Sequence, residues 1–296
     1  MTDKIGHSHI DHSGSVLAAT DASAYSESVA HYAAWAAHRL EAPLEYLHVL
    51  DRHPEAASTA DFSGNLGADA QPRLLEGLAL LDETRSKLGQ ERGRLVLQQA
   101  KGIAAAFHGI EAETRMRHGS LVDTLIELEG DARLFVLGKR GEHADFAKGH
   151  LGSQLERVVR AVHRPLLVAS RSYTEIERVL IAFDRSATTR KGVEMVAASP
   201  LFSGLDIRVL TVGATNATNE AALRWALDTL AAAGLSAAGA VRPGEAEEVI
   251  GHYIRDEHVD LLVMGAYGHS RIRQLIVGST TTTMLRTCRV PVLLLR

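Results

Sequence analysis

The chain has 296 residues, enough for two domains of ordinary size. Its net charge of −4 includes no large basic block, which argues against a nucleic-acid partner, and no run approaches the ~20 apolar residues of a membrane helix. The single cysteine, Cys288, excludes a disulfide within the chain and fits a reducing, cytoplasmic setting.

The N-terminal stretch up to Ser15 is polar and lacks an apolar signal core, so secretion is not expected. Its three histidines, His7, His9 and His12, read as a solvated tail rather than a metal site. Short apolar runs then follow at 15–20, 44–49, 111–116, 134–138 and 165–169. Such runs suit strands buried on both faces of a parallel sheet. After the second run an insertion of about 51–95 begins with a stretch rich in Ala, Ser, Gly and Asp, expected to be a loop. From 73 to about 107 the pattern predicts one long or two shorter helices. The boundary falls near 171–176, which gives an expected first domain of 1–172 and a second of 173–296.

The second half repeats the plan, with apolar runs at 179–183, 207–212, 236–241, 261–265 and 291–295. A helix over 186–198 has Ser186 as its N-cap. A second, over 219–233, ends at Gly234. A third, over 244–256, opens on Glu245, Glu247 and Glu248, which favour the positive end of a helix dipole. The fourth, over 278–287, follows a glycine loop. Alternating β and α elements imply a parallel sheet covered by helices.

The two halves match residue by residue. Gly138, Gly141, Gly152, Ser153 and Pro165 correspond to Gly265, Gly268, Gly278, Ser279 and Pro291, and Asp21 corresponds to Asp184. In the second half the Gly265-Ala-Tyr-Gly268 turn leads through nine residues to Gly278-Ser279 at a helix start. Open α/β sheets bind ligands at this edge. Glycines there let the backbone approach a phosphate, and the free N–H groups of the following helix hold its oxygens. Ser279, Thr280 and Thr281 add hydroxyl donors. Asp184, across the crevice, is placed to bind an adenosine group or to hold a Mg ion on the phosphates.

The stretch from Met264 to Leu295 resembles the ATP-binding segment of the universal stress protein family: Gly, two residues, Gly, nine residues, Gly, then Ser or Thr. The resemblance extends over both halves, apart from the polar tail and the insertion. It implies two repeated α/β domains, each a five-stranded parallel open sheet of order 3-2-1-4-5 sandwiched by helices. It also implies ATP as the ligand. Carried over by position, adenine and ribose contacts fall on Ala182, Asp184, Val212, Met264 and Gly265, and phosphate contacts on Gly268, Gly278, Ser279, Thr280 and Thr281.

The first half departs from the pattern. Ten residues separate Gly141 from Gly152, and they include Glu142, Asp145 and Lys148. An acidic residue there repels a triphosphate unless a cation compensates. The corresponding residues of this weaker site are Asp21, Val49, Gly138, Gly141, Gly152 and Ser153.

Residue order alone supports no Ser-His-Asp arrangement, no pyrophosphatase-type Ser-Gly-Gly-x-Asp loop or Walker A lysine loop occurs, and no general base for hydrolysis is visible. His269, Arg271 and Arg273 read as exposed loop and helix residues, and Cys288, Trp35 and Trp225 as packing residues. The leading expectation is a nucleotide-binding regulatory or stress-response protein with unknown protein partners. The alternatives are slow ATP hydrolysis or autophosphorylation at Ser279 or a nearby Thr, and a scaffold whose first domain takes no nucleotide or another ligand, such as a nucleotide sugar or lipid precursor. The last strand of each half, 165–169 and 291–295, is an apolar sheet edge that invites pairing. The resemblance implies pairing of such strands across a two-fold axis, here between the two halves, with a homodimer as a further level of assembly.

Overall fold

The computed structural model describes residues 13–50, 70–107, 109–141, 153–266 and 279–296, and the side chains of these except 70–75 and 153. The first half runs β1 (Ser15–Ala19), α1 (Ser26–Leu40), β2 (Leu44–Leu50), α2 (Ala70–Ala106), β3 (Ala112–His118), α3 (Leu121–Leu128), β4 (Ala132–Gly138), α4 (Ser153–Ala161) and β5 (Leu166–Ala169). The second runs β6 (Arg178–Ala182), α5 (Ala187–Ala198), β7 (Asp206–Val212), α6 (Ala217–Ala232), β8 (Ala237–Arg242), α7 (Ala246–Asp256), β9 (Leu261–Gly265), α8 (Ser279–Thr287) and β10 (Val292–Leu295).

All ten strands form one sheet in the order β3-β2-β1-β4-β5-β10-β9-β6-β7-β8. Each half has the expected 3-2-1-4-5 order with parallel neighbours. The halves join through β5 and β10, which run antiparallel with Val168 opposite Val292, Leu167 opposite Leu293 and Leu166 opposite Leu294. All six side chains are buried. The two apolar edges predicted from the sequence therefore cover each other.

Strand alternation sends Val16 and Ala18 to one face and Leu17 to the other. The first face is covered by α1, α2, α5 and α6, through Tyr32, Leu97, Val193 and Leu230. The second is covered by α3, α4, α7 and α8, through Leu125, Val158, Ile254 and Met284. Helix α1 is alanine-rich and buried along most of its length, so it lies close to the sheet.

Side chains also tie the halves together across the seam. Arg39 of α1 donates to the carbonyl oxygens of Leu201 (2.6 Å) and Ser203. Arg296 donates to the carbonyls of Val159 (2.7 Å), Arg160 (2.9 Å) and Val162 at the end of α4. Lys139 donates to the carbonyls of Cys288 and Val290 (3.2 Å) beyond the end of α8. Cations at helix C-termini satisfy carbonyls that the helix leaves open. The linker between halves packs on α1, with Tyr173 stacked on His31 (5.1 Å between centroids) and tilted against Tyr32 (4.9 Å). Burial, with Glu175 and Tyr32 nearby, pushes the Tyr173 hydroxyl up to about 12.

Several boundaries differ from the sequence reading. The insertion carries one helix of 37 residues, α2, which begins at Ala70 rather than 73. Helix α6 begins at Ala217 with Asn216 as its cap, two residues before the predicted start, because the Asn216 side chain accepts from the Asn219 N–H at 2.9 Å. Strand β3 ends at His118 rather than 116, since its exposed residues Glu113, Arg117 and His118 do not extend an apolar run.

Candidate functional site

In each half the connections from the two central strands leave in opposite directions, which opens a crevice at their C-terminal ends. These strands are β1 and β4 in the first half, β6 and β9 in the second. In the second half Asp184 stands two residues beyond β6 and is exposed. Its Oδ1 accepts from the Ser186 N–H at 2.9 Å and from the buried Thr189 hydroxyl at 2.6 Å. Arg185 between them takes φ 69°, the left-handed turn that this arrangement requires. Ser186 then caps α5, accepting from the Thr189 N–H at 3.2 Å. The carboxylate is thus fixed at the positive end of α5.

Gly265 ends β9 on the opposite side. A Cβ there would lie 3.3 Å from the Cγ2 atoms of both Thr188 and Thr189, so strand end and helix start approach closely. The Gly265 carbonyl accepts from the buried Thr281 hydroxyl at 3.4 Å, which docks the first turn of α8 on the end of β9. Ser279, the first residue of α8, is exposed. Thr280 donates to Glu247 of α7 at 2.8 Å, so its hydroxyl is engaged away from the crevice. Ala182, Val212 and Met264 occupy the ends of β6, β7 and β9 on the face shared with α7 and α8. The structure therefore brings Ala182, Asp184, Val212, Met264, Gly265, Ser279 and Thr281 to one edge. Gly268, Gly278, His269, Arg271 and Arg273 lie outside the described residues.

The first half repeats the frame with different contents. Asp21 Oδ1 accepts from the Ser23 N–H at 3.0 Å, the same turn that Asp184 makes. A Cβ at Gly141 would lie 3.1 Å from Asp21 Oδ2, so the glycine turn faces this carboxylate directly. Gly138 meets Tyr25 rather than a threonine, and a Cβ at Gly138 would lie 2.7 Å from the Tyr25 Cβ. Val49 is half-buried at the end of β2, on the same face as Leu17. Gly152, with Glu142, Asp145 and Lys148, lies outside the described residues, as does the Ser153 side chain.

Lys139, directly after Gly138, is buried and turned into the seam rather than toward the crevice. Burial lowers its pKa below the ordinary lysine value. Burial raises the neighbouring Cys288 thiol, against the opposing pull of Lys139. Sequence reasoning missed Thr189, Tyr25, Lys139 and Glu247. The Asp-x-Ser-x-x-Thr spacing from Asp184 to Thr189 was a usable signal for the first, since it combines a turn aspartate with an N-cap. Nothing local distinguishes a seam lysine.

Among the described residues no group of three or more His, Cys, Asp or Glu side chains is placed to hold a metal ion. No helix among them is long and apolar enough to cross a membrane. A cavity of about 120 Å³ lies between the halves, lined by Leu134, Met195, Phe202 and Leu295 with Arg133 and Lys191 at its polar side. It is separate from both crevices and smaller than the ~300 Å³ at which ligand pockets usually begin.

Sequence comparison matches the universal stress protein family over residues 13–170 and again over 175–296. The chain is 40% identical over 285 residues to the universal stress protein Slr1230 of a Synechocystis strain, covering 95% of this chain and 99% of that one. In fold it is similar to a universal stress protein from Archaeoglobus fulgidus, with a TM-score of 0.70 at 20% identity, over 97% of this chain and 98% of that one. It is also similar to a functionally unknown Pseudomonas aeruginosa protein, PA1789, with a TM-score of 0.62 at 17% identity, over 95% and 92% of the two chains.

Proposed function

We propose, from the premise that this chain belongs to the universal stress protein family, that it is a regulatory protein that binds ATP in the crevice of its second half. The supporting observation is the meeting of three features at the ends of β6 and β9. These are a carboxylate fixed by Ser186 and Thr189, a glycine strand end against Thr188, and the exposed start of α8. The first N–H groups of α8, which have no partner within the helix, supply the phosphate grip, with Ser279 as the hydroxyl donor. Ala182, Val212 and Met264 form the apolar floor for the base. Asp184 binds the ribose or, with the phosphates, completes the shell of a Mg ion. Mg ions are commonly held by one or two carboxylates plus substrate oxygens.

The first half takes nucleotide weakly or not at all. Tyr25 stands against Gly138 where Thr188 and Thr189 flank Gly265, and Lys139 is committed to the seam. On this reading the chain divides at 172/173 and acts in the cytoplasm. ATP shifts its shape or partners to the extent that it binds two states unequally. Mass spectrometry of small molecules that co-purify with the chain tests the proposal. ATP or ADP is expected from the intact protein and strongly reduced in D184A. Stoichiometric recovery of a different ligand overturns it.

A further inference from the structure

Among the described residues five large apolar side chains stand well exposed, and four are on α2: Leu80 (65%), Leu81 (46%), Leu88 (66%) and Leu95 (58%). The C-terminal part of α2 is seated on the sheet through Val96, Leu97, Ala100 and Ala104. A Cβ at Gly89 would lie 3.6 Å from the side chain of Leu50, the last residue of β2. Earlier turns of α2 therefore pass beyond the sheet edge. At 1.5 Å per residue, residues 70–88 project by roughly 28 Å. From Glu76 to Leu88 every side chain but Leu78 is exposed.

Leu81, Leu88 and Leu95 are spaced by seven, with Thr84 and Glu91 between them. Gly93, Leu97 and Ala100, which face the body of the protein, occupy the opposite side of the helix. A straight seven-residue apolar seam on a projecting helix is a helix-pairing surface.

We propose that this seam is a homodimer contact, in which α2 packs antiparallel against α2 of a second copy with Leu88 on the two-fold axis. The register is self-complementary. With Leu88 at the centre, Leu81 lies opposite Leu95 of the second copy, and residue 88 is also the midpoint of Ala70–Ala106, so the helices overlap fully. Gly77 and Gly102, with open space beside them, permit close approach near both ends.

The acidic residues beside the seam are paired within the helix, Glu83 with Lys87 at 2.7 Å and Glu91 with Arg94 at 3.2 Å, so the leucine register rather than charge sets the pairing. A strip roughly 55 Å by 10 Å on each copy buries about 1,100 Å² in all, near the lower limit for a specific interface, and predicts a reversible dimer.

Analytical ultracentrifugation of the full chain at tens of micromolar is expected to show a dimer. L88E, at a solvent-facing position, is expected to be monomeric with an unchanged melting temperature. A monomeric wild type, or an L88E that stays dimeric, overturns the proposal. The register is tested in a C288A background under mild oxidation. L88C is expected to cross-link to itself, and L81C only when mixed with L95C. Self-cross-linking of L81C equal to that of L88C marks a parallel or non-specific contact and overturns the antiparallel pair.

Discussion

The two strand-end glycines, Gly138 and Gly265, occupy matching positions, yet their surroundings assign them different tasks. A methyl group at Gly138 would lie 2.7 Å from the Cβ of Tyr25 and 3.2 Å from its Cγ. Ordinary carbon contacts begin near ~3.5 Å, so the start of α1 must move by most of an ångström. Overpacking of this kind costs roughly 1–3 kcal/mol. For a chain of this size G138A should lower the melting temperature by about 2–5 °C. At Gly265 a methyl meets two threonine methyls at 3.3 Å, a shortfall of a few tenths of an ångström against side chains that can turn. The reduced freedom of the unfolded chain in G265A offsets part of that strain, so its stability should stay within about 1 kcal/mol of wild type. The nucleotide readout should run the other way, with G265A weakening ATP binding and G138A leaving it intact. Urea unfolding and ATP titration of the two variants provide the comparison. A G265A that loses more stability than G138A, or a G138A indistinguishable from wild type, would refute the reasoning.

The seam and a turn in the first half give two further tests. K139M removes a buried ammonium that holds two carbonyls at the end of α8, and should cost roughly 2–4 kcal/mol in urea unfolding while leaving the L88C cross-link intact. Burial lowers the pKa of Lys139 in the folded state, so the unfolded chain binds more protons above that value. Wild-type stability should therefore rise with pH across the alkaline window that ends near the ordinary value of 10.5, and K139M should lose this rise. Glu129 behaves in the opposite sense. Burial alone would raise its carboxyl, but the backbone N–H groups of His163 and Arg164, with the His163 ring, hold it below the ordinary 4.5. Its contribution is present above that value and lost as pH falls through the folded pKa. E129Q should cost about 1 kcal/mol at neutral pH and flatten the acid limb of a plot of melting temperature against pH.

The fold was legible because eight of the ten strands lie inside the sheet. Val16–Ala18, Leu134–Leu137 and Leu261–Met264 are buried on both faces, so their sequences are continuous apolar runs. The outer strands read less well. β3 presents Glu113, Arg117 and His118 to solvent at one edge, and β8 carries exposed Ala238 and Gly239 at the other. Ser186 announced α5 because a side-chain cap is a local interaction. The single long α2 was ambiguous, since its projecting half has no buried face to impose a clean helical period. At the candidate site the glycine spacing and Asp184 were readable as a pattern in one chain segment each. Contacts between distant elements were not. Tyr25 against Gly138, Thr280 on Glu247 and Lys139 at the end of α8 depend on where the sheet places whole helices.

Calorimetric titration of the ligand-free chain with ATP, repeated for D184A and D21A, tests the central claim most directly. One tight site per chain is expected, lost or weakened at least ten-fold in D184A and unchanged in D21A. Two equal sites, or a single site abolished by D21A and indifferent to D184A, would contradict it.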